Sequence, residues 1–554
     1  MRMFLAKQIN SLEKVRQFST LNYTEITRAS VLQGERFSYQ IAMRSDYPVI
    51  GNIRIESPIS DCIRVYKVEQ SVMDAPTTES TLEIGYITTE PGIMPDLLIP
   101  MDKKDFVLTP VGGSTLWVEV NLPYDMKPGE YTINFAYDTF NFQNPEERQI
   151  GVAKKTMTLE VLPVKKKEQS LIYTRWFYAD CIATYHNVEI YSEEHFKLIE
   201  AYIREAVDVG INMILVPIHT PPLDTAIGTQ RPCVQLVDIK KVGDRYEFGF
   251  DKLRRFVDIC KRAGVRYYEM AHMFSQWGAK CAANIMVEEN GVKDYMFGWH
   301  VESTSEVYID FLKQYISALS SELTSLGIAK NTYYHISDEP TVDKIEAYKT
   351  AVDIIRPFIG KSKTFDALSS YEFYERGLVE CPVTAINHMN DFLPYNIPNQ
   401  WVYYCCGPQR TYSNSFIAMQ SWRTRILGVL LYKYDIKGFL QWGFNFYNSL
   451  VSYYAVNPYV TTSCEGRFPS GDPFIVYPSK SGAYPSIRGK VTYEAIGDMD
   501  LCRTLEEYIG RDEVIKIIDS VADMDVRFDS YPQDSEYLPK LRDALIARLR
   551  EFIK

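Results

Sequence analysis

The sequence predicts an N-terminal β-sandwich followed by a (β/α)8 barrel of the TIM type with C-terminal helices. The first observation behind this prediction is a change of hydrophobic period near residue 170, from the alternation typical of strands to the wider spacing of amphipathic helices. The second is a series of eight short apolar segments separated by helical stretches, which is the order of a parallel barrel. A chain of 554 residues has room for both units.

Residues 1–165 are predicted to form the β-sandwich. Four segments alternate apolar and polar side chains, as strands with one buried face do. Their apolar positions are Phe37, Tyr39, Ile41 and Met43; Leu116, Val118 and Val120; Tyr131, Ile133, Phe135 and Tyr137; and Met157, Leu159 and Val161. Lys127-Pro128-Gly129 is a predicted turn between two of these strands. We find no motif in this region that would carry chemistry.

Residues 170–510 are predicted to form the barrel, and residues 511–554 a C-terminal helical extension. The strand candidates are 171–177, 213–217, 265–270, 332–337, 363–367, 383–387, 400–405 and 437–442. The stretch 388–399 is too short and too rich in proline and asparagine for a sixth helix. The long strand-to-helix segments are 219–250, 272–302 and 443–488. Such segments build the active-site face of a barrel, so we expect them to wall a pocket.

Asp338 and Glu339 are the most informative residues of the chain. They follow the fourth predicted strand, and we expect Pro340 to open the next helix. Since the pleat that separates adjacent side chains ends with the strand, both carboxylates can face one pocket. One acid could then donate a proton while the other holds charge, as glycosidic bond cleavage requires. Asp512-Glu513 is the contrasting pair, which we expect to be solvated on a C-terminal helix.

Other polar and aromatic residues fall at or near the predicted strand ends or in the long segments that follow them, where they would surround this pair. Aromatic rings would pack against a sugar ring, and histidines would bond its hydroxyls as neutral groups. The candidate substrate-binding residues are Asp180, His219, His272, Trp277, His335, Asn387, His388, Tyr403, Tyr404, Trp442 and Tyr447.

A metal centre and a two-carboxylate site are the alternatives to this arrangement. Four of the histidines could ligate a metal together with Asp338. The His-x-His pair that often follows the first strand of metal-dependent barrel hydrolases is missing, so we expect no metal and no other cofactor. A glycosidase with two separated carboxylates would need a second acid, for which Asp180 or Asp391 is the candidate.

Composition and charge narrow the range of partners. A net charge of −11 without a basic stripe argues against nucleic acid. No stretch approaches the roughly 18 apolar residues of a membrane helix. The N-terminus MRMFLAKQINSLEKV lacks the apolar core and cleavage site of a signal peptide, and the ten cysteines have no paired metal-ligand spacing. We therefore expect a cytoplasmic protein with reduced thiols and no membrane partner.

Five longer stretches carry a resemblance to a known family. They are INMILVPIHTPPLDTAIG (211–228), FSQWGAK (274–280), YHISDEP (334–340), LYKYDIKGFLQWGFNFYNS (431–449) and PSGDPFIVYP (469–478). In these stretches the chain resembles glycoside hydrolase family 123, bacterial β-N-acetylgalactosaminidases with an N-terminal β-sandwich and a barrel. The likeness covers most of the barrel.

The resemblance implies a retaining exo-glycoside hydrolase that releases terminal β-linked N-acetylgalactosamine from a glycan. In that family the 2-acetamido oxygen of the substrate attacks the anomeric carbon and forms an oxazolinium intermediate. Asp338 would orient the acetamido group and remain ionised beside the cationic intermediate, helped by the expected helix at Pro340. Glu339 would protonate the leaving oxygen and then activate water. A β-N-acetylglucosaminidase with the same mechanism and a non-catalytic carbohydrate-binding protein are the alternatives.

Overall fold

The N-terminal region is a sandwich of two sheets. The computed structural model describes residues 4–78, 85–102, 105–141, 144–149 and 154–553. The first sheet has, in spatial order, Phe4–Asn10, Arg36–Ser45, Ser114–Asn121, Ile63–Met73 and Gly92–Pro100. The second has Arg28–Gln33, Lys155–Lys165, Gly129–Asn141, Val49–Glu56 and Asp105–Leu108, with Asn144–Gln149 paired to Gly129–Asn141. All pairs are antiparallel except the parallel pair Arg28–Gln33 with Lys155–Lys165.

The alternating apolar side chains meet between these two sheets. Ile41 and Val118 of the first sheet and Phe135 and Leu159 of the second are fully buried in one core cluster. Burial of each such side chain stabilises the fold by about 1.5–3 kcal/mol. The predicted sandwich is confirmed, and period-two alternation was sufficient to locate its inner face.

The second region is a closed barrel of eight parallel strands in the described part of the chain. In order they are Ile172–Arg175, Met213–Val216, Tyr267–Met270, Thr332–His335, Lys363–Leu368, Cys381–Ala385, Trp401–Tyr403 and Gly438–Gln441. The last strand pairs with the first, which closes the barrel. Each strand lies within or overlaps a predicted segment, and the predicted barrel is confirmed.

Helices surround the barrel and continue beyond it. The α-helices are Ala179–His186, Glu193–Asp208, Asp251–Ala263, Glu306–Ser325, Ile345–Ile355, Glu372–Glu375, Met389–Phe392, Ser421–Arg425, Leu427–Lys433, Ile487–Ile509, Arg511–Ala522 and Tyr537–Arg550. The 3-10 turns are Ser60–Cys62, Ala329–Asn331, Val342–Lys344, Arg356–Phe358, Ile386–His388, Leu393–Tyr395 and Leu450–Ser452. After the sixth strand the chain has no full barrel helix, as expected, and forms the four-residue helix Met389–Phe392 between two 3-10 turns. The boundaries drawn at residues 165, 170 and 510 remain predictions.

One expectation about local structure was wrong, and the long segments contain strands that the sequence did not predict. The expected helix at Pro340 begins later, with a 3-10 turn at Val342–Lys344 and an α-helix at Ile345–Ile355. Two of the long strand-to-helix segments also contain regular structure: a four-stranded sheet in the order Arg245–Gly249, Asp238–Val242, Ile285–Glu289 and Val292–Phe297. The third segment contains the hairpin of Tyr477–Ser479 and Gly482–Tyr484.

A buried ion pair joins the sandwich to the barrel. Arg488, in the helix Ile487–Ile509, donates from Nη2 to Oδ2 of Asp96 over 2.9 Å. The same guanidinium donates to the carbonyls of Gly471 and Phe474. Loss of one partner of a buried pair costs about 3–5 kcal/mol. Through its two bonds to carbonyls, Arg488 also links the segment 471–474 to this pair. Among the described residues, no helix has both the length and the apolar character needed to cross a membrane.

Candidate active site

The turn after the fourth barrel strand places Asp338 and Glu339. The backbone N–H of Ser337 donates to Oδ2 of Asp366 over 3.0 Å, and that of Glu339 to the carbonyl of Ala367 over 3.1 Å. Glu339 has a φ of +44°, in the left-handed region. This conformation costs a non-glycine residue about 1–2 kcal/mol, so the neighbouring fifth strand must hold it. The strained turn directs both carboxylates into one pocket.

This central pocket has a volume of about 150 Å³. It lies at the carboxyl ends of the barrel strands, where barrel proteins bind ligands. Its walls contain the carboxyl groups of Asp338 and Glu339, the carboxyl group of a third acidic residue, one amide and several aromatic rings. The lining residues are Trp176, Asp224, Gln276, Trp277, Asp338, Glu339, Ala367, Tyr403, Cys405, Cys406, Leu440, Trp442 and Phe468. Of the sequence-predicted residues, Asp338, Glu339, Trp277, Tyr403 and Trp442 are therefore brought together.

Asp338 is the more buried member of the pair. Its Oδ2 accepts a hydrogen bond from Nε2 of Gln276 over 2.8 Å, and its carbonyl accepts one from the backbone N–H of Trp277. Burial and then the nearby charge of Glu339 raise the pKa of Asp338 well above its usual range. Asp338 thus has a high proton affinity, whereas we expected it to remain ionised with support from a helix at Pro340.

Glu339 is half-buried at the mouth of the pocket and is held by a phenol. The hydroxyl of Tyr403, from the seventh strand, donates to Oε1 of Glu339 over 2.6 Å. Burial and the charge of Glu339 raise the pKa of Tyr403 well above its usual range, so this hydroxyl stays protonated. The contact fixes the direction of the Glu339 carboxyl group.

Two indoles of the pocket wall are fixed by buried carboxylates. Trp442 donates from Nε1 to Oδ2 of Asp472 over 2.9 Å, and Trp176 donates from Nε1 to Oε1 of Glu269 over 2.7 Å. Asp472 lies in the segment 471–474 that Arg488 holds against the sandwich. Burial raises the pKa of Asp472 to about 7. The sandwich therefore supports one wall of the pocket through a short chain of contacts.

His335 lies beneath the pocket in a buried ionic cluster. Its Nε2 lies 2.9 Å from Oε1 of Glu269, and its Nδ1 lies 3.1 Å from Oδ1 of Asp366. Burial lowers the pKa of this imidazole, but the hydrogen bonds and charges of the two carboxylates outweigh that effect and raise it to about 9. His335 is therefore a cation under the floor, and it does not line the central pocket.

The other candidate histidines also lie outside the central pocket. His272 is fully buried and stacks on His335 with ring centroids 4.0 Å apart. His219 donates from Nε2 to the carbonyl of His272 over 2.8 Å, and burial lowers its pKa to about 4. His388 is a surface residue 3.6 Å from Asp391. The described part of the chain contains no group of three or more His, Cys, Asp or Glu side chains that could hold a metal ion.

The remaining candidates are likewise outside the central pocket. Asp180 is not at a strand end but in the helix Ala179–His186, where it forms a buried ion pair with Arg231. Tyr404 is buried against the barrel core, and Tyr447 is buried and donates from its hydroxyl to the carbonyl of Val476. Asn387 is exposed. Strand ends alone thus selected too many residues, because only some of their side chains face the pocket.

Sequence reasoning missed two polar residues that line the central pocket. The backbone N–H of Asp224 donates to Oε1 of Gln276 over 2.7 Å, and the amide of Gln276 then donates to Asp338. Burial raises the pKa of Asp224 to about 6, although the nearby Arg231 opposes this shift. Both residues fall within stretches that resemble the family, at 211–228 and 274–280. That resemblance was the signal that could have identified them.

The chain is similar to known proteins in sequence and in fold. The family described as "Glycoside hydrolase 123, catalytic domain" matches residues 176–505, more than half of the chain. A family 123 glycoside hydrolase from Clostridium perfringens, solved to give the details of glycolipid glycan hydrolysis, matches with a TM-score of 0.74, 16% identity and 99% coverage of both chains. The β-glucuronidase of Bifidobacterium dentium reaches a TM-score of only 0.32 at 8% identity, over 89% of this chain and 66% of its own. Curated proteins give no match.

Proposed function

The chain belongs to glycoside hydrolase family 123 and is a glycoside hydrolase, and from this premise we propose that it releases terminal β-linked N-acetylgalactosamine with retention of configuration. The observation that supports this proposal is the adjacent pair Asp338 and Glu339 in one pocket with aromatic walls. Substrate-assisted hydrolases are exceptions to the carboxylate spacing of ordinary glycosidases, so adjacency is compatible with this mechanism.

In the first step the substrate supplies its own nucleophile. The acetamido N–H would donate to Asp338, which with Gln276 holds the group so that its carbonyl oxygen attacks the anomeric carbon. As the bond to the leaving oxygen breaks, Glu339 transfers a proton to that oxygen. The products are an oxazolinium ion and the free leaving group.

For this step Asp338 must be ionised and Glu339 must carry a proton. Burial and the charge of Glu339 raise the pKa of Asp338. The acetamido N–H and the developing positive charge would both favour the ionised form of Asp338. Substrate binding would therefore move the shared proton of the pair to Glu339, next to the leaving oxygen. Tyr403 would keep the Glu339 carboxyl group directed at the bond that breaks.

In the second step water opens the oxazolinium ion. Glu339, now ionised, would take a proton from water as the water oxygen attacks the anomeric carbon. The bond from that carbon to the acetamido oxygen breaks, which restores the acetamido group. Each of the two steps inverts the configuration of the anomeric carbon, so the product retains the configuration of the substrate. Glu339 ends the second step with its proton restored. Trp176 and Trp442 would exclude bulk water from the apolar side of the sugar.

A double displacement with a protein nucleophile is the second candidate. One observation favours it: Asp224 is a third carboxylate in the same pocket. The two acids considered from sequence are less suited, because Asp180 is paired with Arg231 and Asp391 lies on the surface beside His388. In this alternative Asp224 would attack the anomeric carbon and form a covalent glycosyl intermediate.

Hydrolysis of four aryl β-glycosides tests the proposal. Two carry a 2-acetamido group in the galacto or gluco configuration, and two are the matching 2-hydroxy sugars. Cleavage of the 2-acetamido galactoside with retention, and of neither 2-hydroxy sugar, is expected. Preference for the 2-acetamido glucoside would mean that the enzyme releases N-acetylglucosamine by the same mechanism. Cleavage of the 2-hydroxy sugars would reject substrate assistance and favour Asp224 as a protein nucleophile.

A further inference from the structure

Two adjacent thiols line the central pocket and take no part in the proposed hydrolysis. Cys405 and Cys406 follow the seventh barrel strand, Trp401–Tyr403, and both belong to the pocket wall. In an extended strand the side chains of neighbouring residues point to opposite faces. Here the strand has already ended, so the two side chains can face the same space. Their Sγ atoms lie 3.9 Å apart.

The loop that carries the thiols is held by two amide side chains. The buried Asn414 donates from Nδ2 to the carbonyl of Cys405 over 2.9 Å. Gln409 donates from Nε2 to the carbonyl of Cys406 over 3.2 Å. Oε1 of Gln409 in turn accepts a hydrogen bond from the hydroxyl of Thr77, in the N-terminal region, over 2.7 Å. The thiols therefore have fixed positions before any ligand binds.

The environment of the pair disfavours reactions that need a single thiolate. The hydrogen bond with Cys406, and then burial, raise the pKa of the Cys405 thiol well above its usual range. The nearby charge of Glu339 acts in the same direction. Since the thiolate is the form that attacks alkylating reagents, Cys405 should react slowly with them. A ligand suited to this pair must instead bond two neutral thiols together.

The distance between the two sulfur atoms fits an atom that bridges them. A centre that bonds two sulfur atoms at about 2.3 Å with tetrahedral angles holds them about 3.8 Å apart. A direct disulfide would need a separation of about 2.0 Å, and the loop would have to move. In the described part of the chain no third His, Cys, Asp or Glu completes a metal site at this pair. A centre that needs only two thiols is therefore better suited than Zn²⁺, which needs four ligands.

We propose that Cys405 and Cys406 form a covalent binding site for a trivalent arsenic centre with one organic group, and that its occupation closes the central pocket. Such a centre makes three bonds, one to carbon and two to sulfur. With phenylarsine oxide the two S–H bonds break and two As–S bonds form, and both protons leave with the arsenic-bound oxygen as water. Arsenic stays trivalent, so the reaction needs no oxidant or reductant.

Occupation of this site would prevent substrate binding. The thiols share a pocket of about 150 Å³ with Glu339, so a phenyl group held on them takes the space of the sugar. The rings of Trp442 and Phe468 in the same wall give that phenyl group apolar contacts. An arsenic centre at Cys405 and Cys406 should therefore inhibit hydrolysis.

Intact-mass spectrometry and inhibition by phenylarsine oxide test the inference on the reduced protein. We expect one phenylarsenic group per chain and loss of most hydrolysis of the 2-acetamido aryl galactoside. The dithiol 2,3-dimercaptopropanol should remove the group and restore activity, whereas the monothiol 2-mercaptoethanol should not. In Cys405→Ser and Cys406→Ser the affinity for phenylarsine oxide should fall about 10²- to 10⁴-fold, because only one of two linked bonds can form. Inhibition is compared with the untreated activity of each variant, since both residues line the pocket.

Cys62→Ser is the matched control, because Cys62 is a half-exposed thiol in the 3-10 turn Ser60–Cys62 of the sandwich. It should bind phenylarsine oxide as the wild type does. Peptide mapping of the wild-type adduct needs no variant and should locate arsenic on the peptide that contains Cys405 and Cys406. An adduct on other cysteines, or undiminished affinity in Cys406→Ser, would overturn the inference.

The two readouts separate this inference from the proposed function. An adduct at Cys405 and Cys406 that leaves hydrolysis intact would overturn closure of the pocket. If the untreated enzyme does not cleave the 2-acetamido aryl galactoside, the proposed function fails. The mass measurement does not depend on that substrate, so absence of the adduct would still reject the thiol site.

Discussion

The hydroxyl of Tyr403 donates a hydrogen bond to Oε1 of Glu339 over 2.6 Å and thereby joins the seventh barrel strand to the turn after the fourth. The fifth strand holds the backbone of Glu339 in the left-handed region, and the bond from Tyr403 holds its carboxyl group. A proton donor must be within hydrogen-bond reach of the leaving oxygen, so its direction matters as much as its acidity.

Tyr403→Phe should lower kcat by about 10- to 100-fold with little change in KM. The substitution removes one hydrogen bond to a carboxyl group that becomes charged as it gives up its proton, which contributes about 1.5–3 kcal/mol, and it keeps the ring in the pocket wall. Steady-state kinetics on the 2-acetamido aryl galactoside would measure the effect. Tyr404→Phe is the control, since Tyr404 is buried outside the pocket. Similar losses in the two variants would contradict a specific role for Tyr403.

Glu339→Gln should lower kcat on substrates with poor leaving groups by about 10²- to 10⁴-fold, because a proton donor is lost. Substrates with very acidic phenol leaving groups should be spared in the step that forms the oxazolinium ion. Rapid-mixing kinetics on a series of aryl glycosides would show a steeper dependence on leaving-group pKa. Glu513→Gln is the control, as Glu513 lies on the exposed side of the helix Arg511–Ala522. A loss that is uniform across the series would exclude an acid role.

Asp338→Asn should lower kcat by about 10²- to 10³-fold whatever the leaving group. Asparagine cannot provide the negative charge that stabilises the developing cation. The same variant should bind a thiazoline mimic of the oxazolinium ion more weakly, as inhibition constants would show. Asp512→Asn is the matched control. Retained thiazoline affinity in Asp338→Asn would mean that Asp338 does not contact the acetamido group.

The fold and the acid pair were predictable because their patterns are local. The alternation of apolar and polar side chains in Tyr131–Tyr137 can be recognised from adjacent residues alone. The same is true of the apolar strand that ends before Asp338. The partners of His335 were not predictable in this way, since Glu269 and Asp366 reach it from two other strands. Gln276 was not predictable for the same reason. It lies in a segment whose apolar residues show no regular spacing, and it contacts Asp338 only in the folded protein.

The ionic cluster around His335 should make stability depend on pH. The pKa of His335 is about 9 in the folded protein, against about 6.5 for an unperturbed histidine. A raised pKa means that the stabilisation, on the order of 3 kcal/mol, is fully present below pH 6.5 and is lost as pH rises through 9. The difference in urea midpoint between wild type and His335→Gln should therefore be large at pH 6 and small at pH 9.5.

Two observations would check that this dependence belongs to His335. His388→Gln, at a surface histidine, should not alter the urea midpoint at either pH. Loss of His335 leaves Glu269 and Asp366 buried without a cation, so far-UV circular dichroism must first show that the variant folds at pH 6. A midpoint difference that stays constant between pH 6 and 9.5 would contradict the charged state of His335.

Asp224 should bind the substrate in its ionised form. Its pKa is raised to about 6 by burial, so the carboxylate is present above pH 6 and becomes protonated as pH falls below it. If Asp224 accepts hydrogen bonds from sugar hydroxyls, wild-type kcat/KM should fall below pH 6, and this fall should be smaller in Asp224→Asn. We expect the variant to raise KM about 10-fold, with a smaller effect on kcat.

The same variant separates the two candidate mechanisms. If Asp224 were the nucleophile, Asp224→Asn would nearly abolish kcat, and added azide would restore turnover by attacking the anomeric carbon to give an inverted glycosyl azide. Under substrate assistance the nucleophile remains on the sugar, so azide should not rescue activity and the products should keep their configuration. Asp391→Asn, at the surface acid, is the control for both measurements. An inverted azide product in Asp224→Asn would therefore reject the proposed mechanism directly.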